Sequence, residues 1–209
     1  MDNIIRNVGE TLIQLLKDGF IGDPDLGIDS AAADELIVLA SPADFEGDAR
    51  LSLFLYQVHQ NEFLNNWEMR QTSDGTLENP PLTLDLFYML TVYPPPESSD
   101  TQVTDRTLFE HRFLGTAMRI FYDNGIVRGS RLQGTGLADT ASELRIVLTT
   151  MSMENLTQMW GAFNGQPYRT SVFYQVTPVA IDSRRNQDAD RVIEKDMGYY
   201  QMLKTRRES

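Results

Sequence analysis

The sequence predicts an α+β domain whose sheet is largely antiparallel or mixed and is flanked by helices. Three observations carry this. Leu82 to Val92 alternates apolar residues with period two. Ile4 to Gly19 and Thr104 to Asn124 repeat apolar residues every three or four positions. The expected elements follow one another in the order α-β-β-(β)-β-α-β-α-β.

The first helix is expected over Ile4–Gly19, where Ile4, Ile5, Val8, Leu12, Leu15 and Leu16 share a face and Gly19 is placed to end it. Gly22 to Ala33 reads as a polar loop. Glu35–Ala40 is a short strand stopped by Ser41-Pro42, and Leu51–His59 is apolar enough for an inner strand. Asn66–Thr72 is expected as its shorter partner, before the turn Ser73-Asp74-Gly75. In the strand Leu82–Tyr93, residues Leu82, Leu84, Leu86, Tyr88, Leu90 and Val92 line one face, and the run Pro94-Pro95-Pro96 stops it.

Phe109, Phe113, Ala117 and Ile120 form the stripe of the second long helix, closed by Asn124-Gly125. A loop rich in Gly and Arg leads to a strand at Glu143–Thr150. Ser152 then caps a short helix, Met153–Phe163. Tyr168–Ile181 is the last long strand, with Pro178 at a bulge or edge position. The wholly polar run Ser183–Asp188 marks a boundary, dividing the chain into a domain, 1–181, and a C-terminal segment, 182–209. In that segment Val192, Ile193, Met197, Tyr200 and Leu203 share one helical face. Fully extended, it reaches about 90 Å, against a domain radius of gyration of about 17 Å. It is either an arm packing on a neighbouring subunit or a helix lying on its own domain.

Composition excludes several chemistries. The 209 residues hold 30 Asp+Glu against 18 Lys+Arg, a formal net charge of −12. Zero cysteine removes disulfides, thiolate metal sites and thiol nucleophiles. The acidic balance argues against nucleic acid and anionic membranes as partners. Only Lys17, Lys195 and Lys204 are lysines, an Arg-for-Lys usage that suits a high-salt cytoplasm and also occurs in ordinary acidic proteins. Like-charge repulsion between copies would lead assembly to strengthen as salt rises. The longest apolar runs are far shorter than a membrane span, and the N-terminal stretch, with Asp2 and Glu10 among its apolar residues, lacks a basic region followed by an apolar run, so synthesis is expected in the cytoplasm.

Catalytic motifs are missing. His59 and His111 belong to no zinc-type grouping and read as structural. Asp23 to Asp29 resembles a calcium loop, but the glycine and glutamate that loop requires at its sixth and twelfth positions are Ile28 and Asp34. A metal-dependent hydrolase using Asp23–Asp29 is the enzymatic alternative. Gly129 to Gly136 lacks both P-loop and dinucleotide spacing and reads as a connector. No cofactor is expected.

Several blocks together resemble a known family. These are Leu53-Phe54-Leu55-Tyr56, Pro81-Leu82-Thr83-Leu84-Asp85-Leu86, His111-Arg112-Phe113-Leu114-Gly115, Trp160-Gly161-Ala162-Phe163 and Tyr168-Arg169-Thr170-Ser171. In this order and spacing, over residues 1–181, they are similar to the tail terminator, or cap, family of contractile injection systems of the antifeeding-prophage and virulence-cassette type. The resemblance implies a non-catalytic protein, a hexameric ring closing the distal end of inner tube and sheath. Its partners would be sister subunits, the tube protein and the sheath protein, in a phage tail-like particle that can be released from the cell. Another adaptor or baseplate component of the same machine is the alternative. His111, Arg112, Trp160 and Arg169 match the family blocks and are expected as structural anchors, with Arg112 and Arg169 as alternative donors to carboxylates across an interface. In the tail, Arg184, Arg185 and the apolar face named above are the expected contacts.

Overall fold

The computed structural model describes residues 3–44, 47–64, 70–71, 76–95, 102–134, 137, 143–163, 165–183 and 186–188. The chain forms two compact units, residues 1–66 with 81–182, and residues 67–80 with 183–209.

The larger unit is a six-stranded mixed sheet. Its helices are α1 (Ile4–Ile21), α2 (Ser30–Leu36), α3 (Val103–Asp123) and α4 (Met153–Ala162). Its strands are β1 (Ile37–Leu39), β2 (Leu51–Gln60), and, with β3 and β4 reserved for the smaller unit, β5 (Leu82–Val92), β6 (Ile126–Arg128), β7 (Glu143–Thr149) and β8 (Ser171–Ile181). The order across the sheet is β1-β2-β5-β8-β7-β6. Only β1 and β2 run parallel; the other neighbouring pairs are antiparallel.

The alternation along β5 divides its side chains between two cores. Leu84, Leu86, Tyr88, Leu90 and Val92 join the larger core, with Leu51 and Leu53 of β2, Tyr174 and Val176 of β8, and the apolar stripes of α1 and α3. Met89 points the other way, to Trp160 and Phe163 at the α4 end and to Phe173 of β8. Each large aliphatic side chain buried this way contributes about 1.5 to 3 kcal/mol. The two long helices meet through Phe20 and Phe113, whose rings are 5.1 Å apart.

Several local details depart from the sequence expectation. Helix α1 runs through Gly19 to Ile21, with Gly22 at its C-terminal cap. Gly19 serves close packing instead of termination: a Cβ there would lie 2.5 Å from the side chain of Ile120 on α3. Part of the expected Gly22–Ala33 loop is α2, capped by Asp29, whose side chain accepts the Ala32 N–H at 2.8 Å. The Gly/Arg loop contains β6 and a single turn of 3-10 helix at Gly129–Arg131. Pro178 lies at a bulge in β8, where Leu84 pairs with Val179 but Leu86 pairs with Val176. The pairing of β8 with β7 ends at Thr177, so no ladder donor is lost beyond it on that side.

The smaller unit is a three-stranded antiparallel sheet of β3 (Arg70–Gln71), β4 (Thr76–Glu78) and β9 (Asn186–Asp188), in that order. Arg70 pairs with Glu78, and Thr76 pairs with Asp188. The segment expected to partner β2 therefore pairs elsewhere, and the polar stretch read as a boundary contains a strand. The edge of β2 it would have occupied is taken by β1.

Candidate interaction surfaces

Arg112 and Arg119 on α3 both reach the loop that enters α2. The Arg112 guanidinium donates to the backbone carbonyl of Asp25. Arg119 meets Asp23 Oδ2 at 2.7 Å, where the Asp23 side chain is nearly buried. The other Asp23 oxygen accepts the Asp25 N–H at 3.0 Å, an Asx-type turn. Of the acids of the candidate calcium loop, Asp23 thus anchors the turn and binds arginine, and Asp29 caps α2. Among the described residues no group of three or more potential ligands could hold a metal ion.

Arg169 sits 3.8 Å from Glu110 on α3, and both side chains are more than half buried. It also lies near Tyr93, whose hydroxyl is 3.1 Å from Ser52 Oγ. Burial pushes the Tyr93 phenol up, opposed by the Ser52 hydrogen bond and the Arg169 charge. Arg112 and Arg169 therefore each have an intrachain partner. His111 is exposed on α3, and the His59 ring stands edge-on to Phe87 at 5.2 Å. Arg184, Arg185, Val192, Ile193, Met197, Tyr200 and Leu203 lie outside the described residues.

Trp160 anchors α4 to the sheet. Ser152 caps the helix, accepting the Asn155 N–H at 3.2 Å, and places Trp160 one face inward. Its ring packs 5.5 Å from Phe163 and 5.6 Å from Tyr168. The buried indole N–H has no acceptor among the described residues.

The Gly/Arg loop is held to α1. Thr11, buried on α1, accepts the Gln133 N–H through its hydroxyl at 2.9 Å. Gly134, at φ +81°, comes so near that a Cβ would lie 2.4 Å from the Asn7 side chain. At least one loop N–H that would be needed to cradle an anion is thus spent inside the fold.

The sequence reading missed a surface at the β6–β7 edge. Ile146 donates its N–H to the carbonyl of Gly125 at 2.9 Å, but β6 pairs with β7 only at Glu143–Arg145. Leu148, two residues beyond Ile146, turns its backbone groups to the same side. Among the described residues no strand pairs with it there. Beside this edge lies an apolar groove of about 680 Å³ lined by Met118, Tyr122, Ile126, Ile146, Leu148 and Tyr174. Tyr122 is 86% exposed and Leu148 52% exposed. Such residues in a short strand and at a helix end read as ordinary core positions in sequence, because nothing local says that the covering layer stops there.

The architecture described above, a six-stranded mixed sheet flanked by helices, recurs in two solved structures. Over 95% of this chain and 64% of the other, the fold matches a solved sheath/tube terminator of the extracellular contractile injection system PVC, with TM-score 0.63 and 17% identity. It also matches the tube-terminating cap of the anti-feeding prophage, over 73% of this chain and 50% of the other, with TM-score 0.51 and 16% identity. The chain therefore spans less than two thirds of the length of either protein. No curated protein sequence matches it. The chain belongs to the Pvc16 N-terminal domain family, whose model matches residues 7–195.

Proposed function

We propose that the protein is the structural cap of a contractile injection particle, assembling as a ring of six that closes the distal end of the inner tube and the sheath around it. The observation that carries this reading is the fold match to a PVC sheath/tube terminator over 95% of the chain, together with the family match. The geometry is compatible with a purely structural role: Arg112, Arg119 and Arg169 bond within the chain, and the acids of the Asp23–Asp29 loop hold a turn and a helix cap. In this reading the partners are sister subunits, the last tube ring and the last sheath ring, and assembly takes place in the cytoplasm before release. Residues 1–181 supply the ring body. The stretch 182–209 supplies an arm that turns its Val192, Ile193, Met197, Tyr200 and Leu203 face to a neighbour. An acidic chain of net charge −12 suits a cap that touches protein and not nucleic acid.

Electron microscopy of isolated particles tests the proposal. Sixfold density for this chain at the end opposite the baseplate is the expected result; finding it only at the baseplate would point to the adaptor alternative and end the cap reading.

A further inference from the structure

The two edges of the six-stranded sheet carry opposite charge, and both expose apolar side chains. At one edge lie β1, α2 and the loop into β2. Described residues 29–50 hold Asp29, Asp34, Glu35, Asp44 and Asp48 against Arg50, and Lys17 of α1 reaches Asp34 at 2.6 Å. Asp34, Glu35, Asp44 and Asp48 are exposed, and so is Leu39 at the end of β1, 52% exposed. At the opposite edge, from the end of α3 through β7, the described residues hold Arg128, Arg131 and Arg145 against Asp123 and Glu143, Arg119 being matched by Asp23. Arg128 and Arg145 are about three-fifths exposed and share the single carboxylate of Glu143. Arg145 lines the apolar groove, and Arg128 and Arg131 line a neighbouring hollow that shares Ile126 with it. Five strand spacings, about 24 Å, separate the outermost strands.

We propose that the β6–β7 edge of one copy binds the α2–β1 edge of the next copy, with Leu39 entering the groove beside Leu148 and the Glu35 and Asp44 carboxylates facing Arg128 and Arg131. The occupant of the groove is thus a second copy of this chain. Charge complementarity selects it: an acidic, apolar-centred edge exists on the same molecule, at the far end of the same sheet. A contact between two different surfaces repeated on every copy is heterologous, and it closes a ring when the turn per step divides a full rotation. The proposal rests on the ring reading above and supplies the interface that it lacks. It also reverses the expected salt response. A uniformly acidic subunit would assemble better as salt rises; segregated ends attract, so salt weakens them.

The test uses reversed edges in the full chain. Glu35→Lys with Asp44→Lys makes both edges basic. Arg128→Glu with Arg131→Glu makes both acidic, and leaves the Arg145–Glu143 pair in place. Sedimentation velocity is expected to show assembly of the unaltered chain, self-association weakened on the order of tenfold or more for each variant alone, and assembly restored by mixing the two variants. The mixture succeeds because basic and acidic edges then alternate around the ring. Assembly of the unaltered chain should weaken from about 0.1 M to about 1 M salt, as the screening length falls from about 10 Å to about 3 Å.

A second measurement uses the absence of native cysteine. Leu39→Cys and Leu148→Cys in one chain should give a ladder of oligomers with a bis-maleimide crosslinker. The two single variants mixed should stop at dimers, and each alone should stay monomeric. A chain that remains monomeric unaltered, variants that self-associate as well as the unaltered chain, a mixture that fails to assemble, strengthening in salt, or dimers from either single cysteine variant each overturn the proposal. The outcomes separate from those of the cap reading. Rings built through other faces would leave this chain at the distal end of particles, whereas a chain missing from that end could still show the alternating-edge behaviour.

Discussion

At the scale of single residues, one glycine and one tyrosine report on the core. Gly19 lets α1 approach α3 at Ile120, whose Cδ1, Cγ1 and Cγ2 would all lie within 3.0 Å of an added Cβ. Gly19→Ala gains up to about 1 kcal/mol of helix propensity, but it overpacks a buried contact at a cost of about 1 to 3 kcal/mol. The expected net effect is a loss of about 1 kcal/mol in urea unfolding; a gain in stability would show that the two helices can part freely. Tyr174 is buried in the larger core with its ring 4.9 Å from Phe121, and burial pushes its phenol from 10.0 up to about 12. Burial raises the Tyr88 phenol as well. In the unfolded chain these phenols ionise near pH 10, while the folded state holds their protons. Their contribution is therefore fully present below pH 10 and is lost as pH rises toward 12. The melting temperature should fall across that window, together with a late rise in tyrosinate absorbance. Full ionisation of every tyrosine near pH 10 without unfolding would contradict this placement.

At the scale of elements, strong periodic patterns were legible and pairing partners were not. The alternation of Leu84, Leu86, Tyr88, Leu90 and Val92 marks a central strand because each residue meets the same core, and the Phe113, Ala117 and Ile120 stripe marks α3 for the same reason. Helix α2 escaped notice because SAAADEL has a single buried position, Ala33, and no apolar stripe to announce it. β4 and β9 escaped because three-residue strands carry too few alternations to read, while β3 lies inside the expected strand Asn66–Thr72 but pairs with β4. Arg112 and Arg169 stood out in the sequence through the family blocks, and each has an intrachain partner. The opposed charge of the two sheet edges was not, since Glu35 and Arg128 become ends of one sheet only after the strand order is known. The C-terminal stretch belongs to this scale too. Because β9 pairs with β4, deleting residues 189–209 leaves that ladder's residues in place and removes the part of the proposed arm that carries its apolar face. The shortened chain should fold with unchanged melting temperature while its retention on sheathed particles drops. Retention equal to that of the full chain would assign the stretch to its own subunit's surface or to no contact at all.

At the scale of the whole molecule, the net charge of −12 hides an uneven distribution. A count of charges suggests a body that repels its own copies. The placement of those charges suggests a subunit whose two sheet edges suit each other, with an apolar groove at one and exposed Leu39 at the other. The same fold leaves both edges short: β1 has three residues, and β6 covers only the first half of β7. Short edges limit uncontrolled strand addition, which a protein with two open sheet ends would otherwise risk. Specific capture at such edges has to come from side chains, and here these are arginines, carboxylates and a few leucines. In the proposed assembly the opposed edges would also orient an approaching copy electrostatically. That copy would feel their field before any atoms touch and would rotate to present its acidic edge first, so ionic strength would govern the rate of ring growth as well as its final stability.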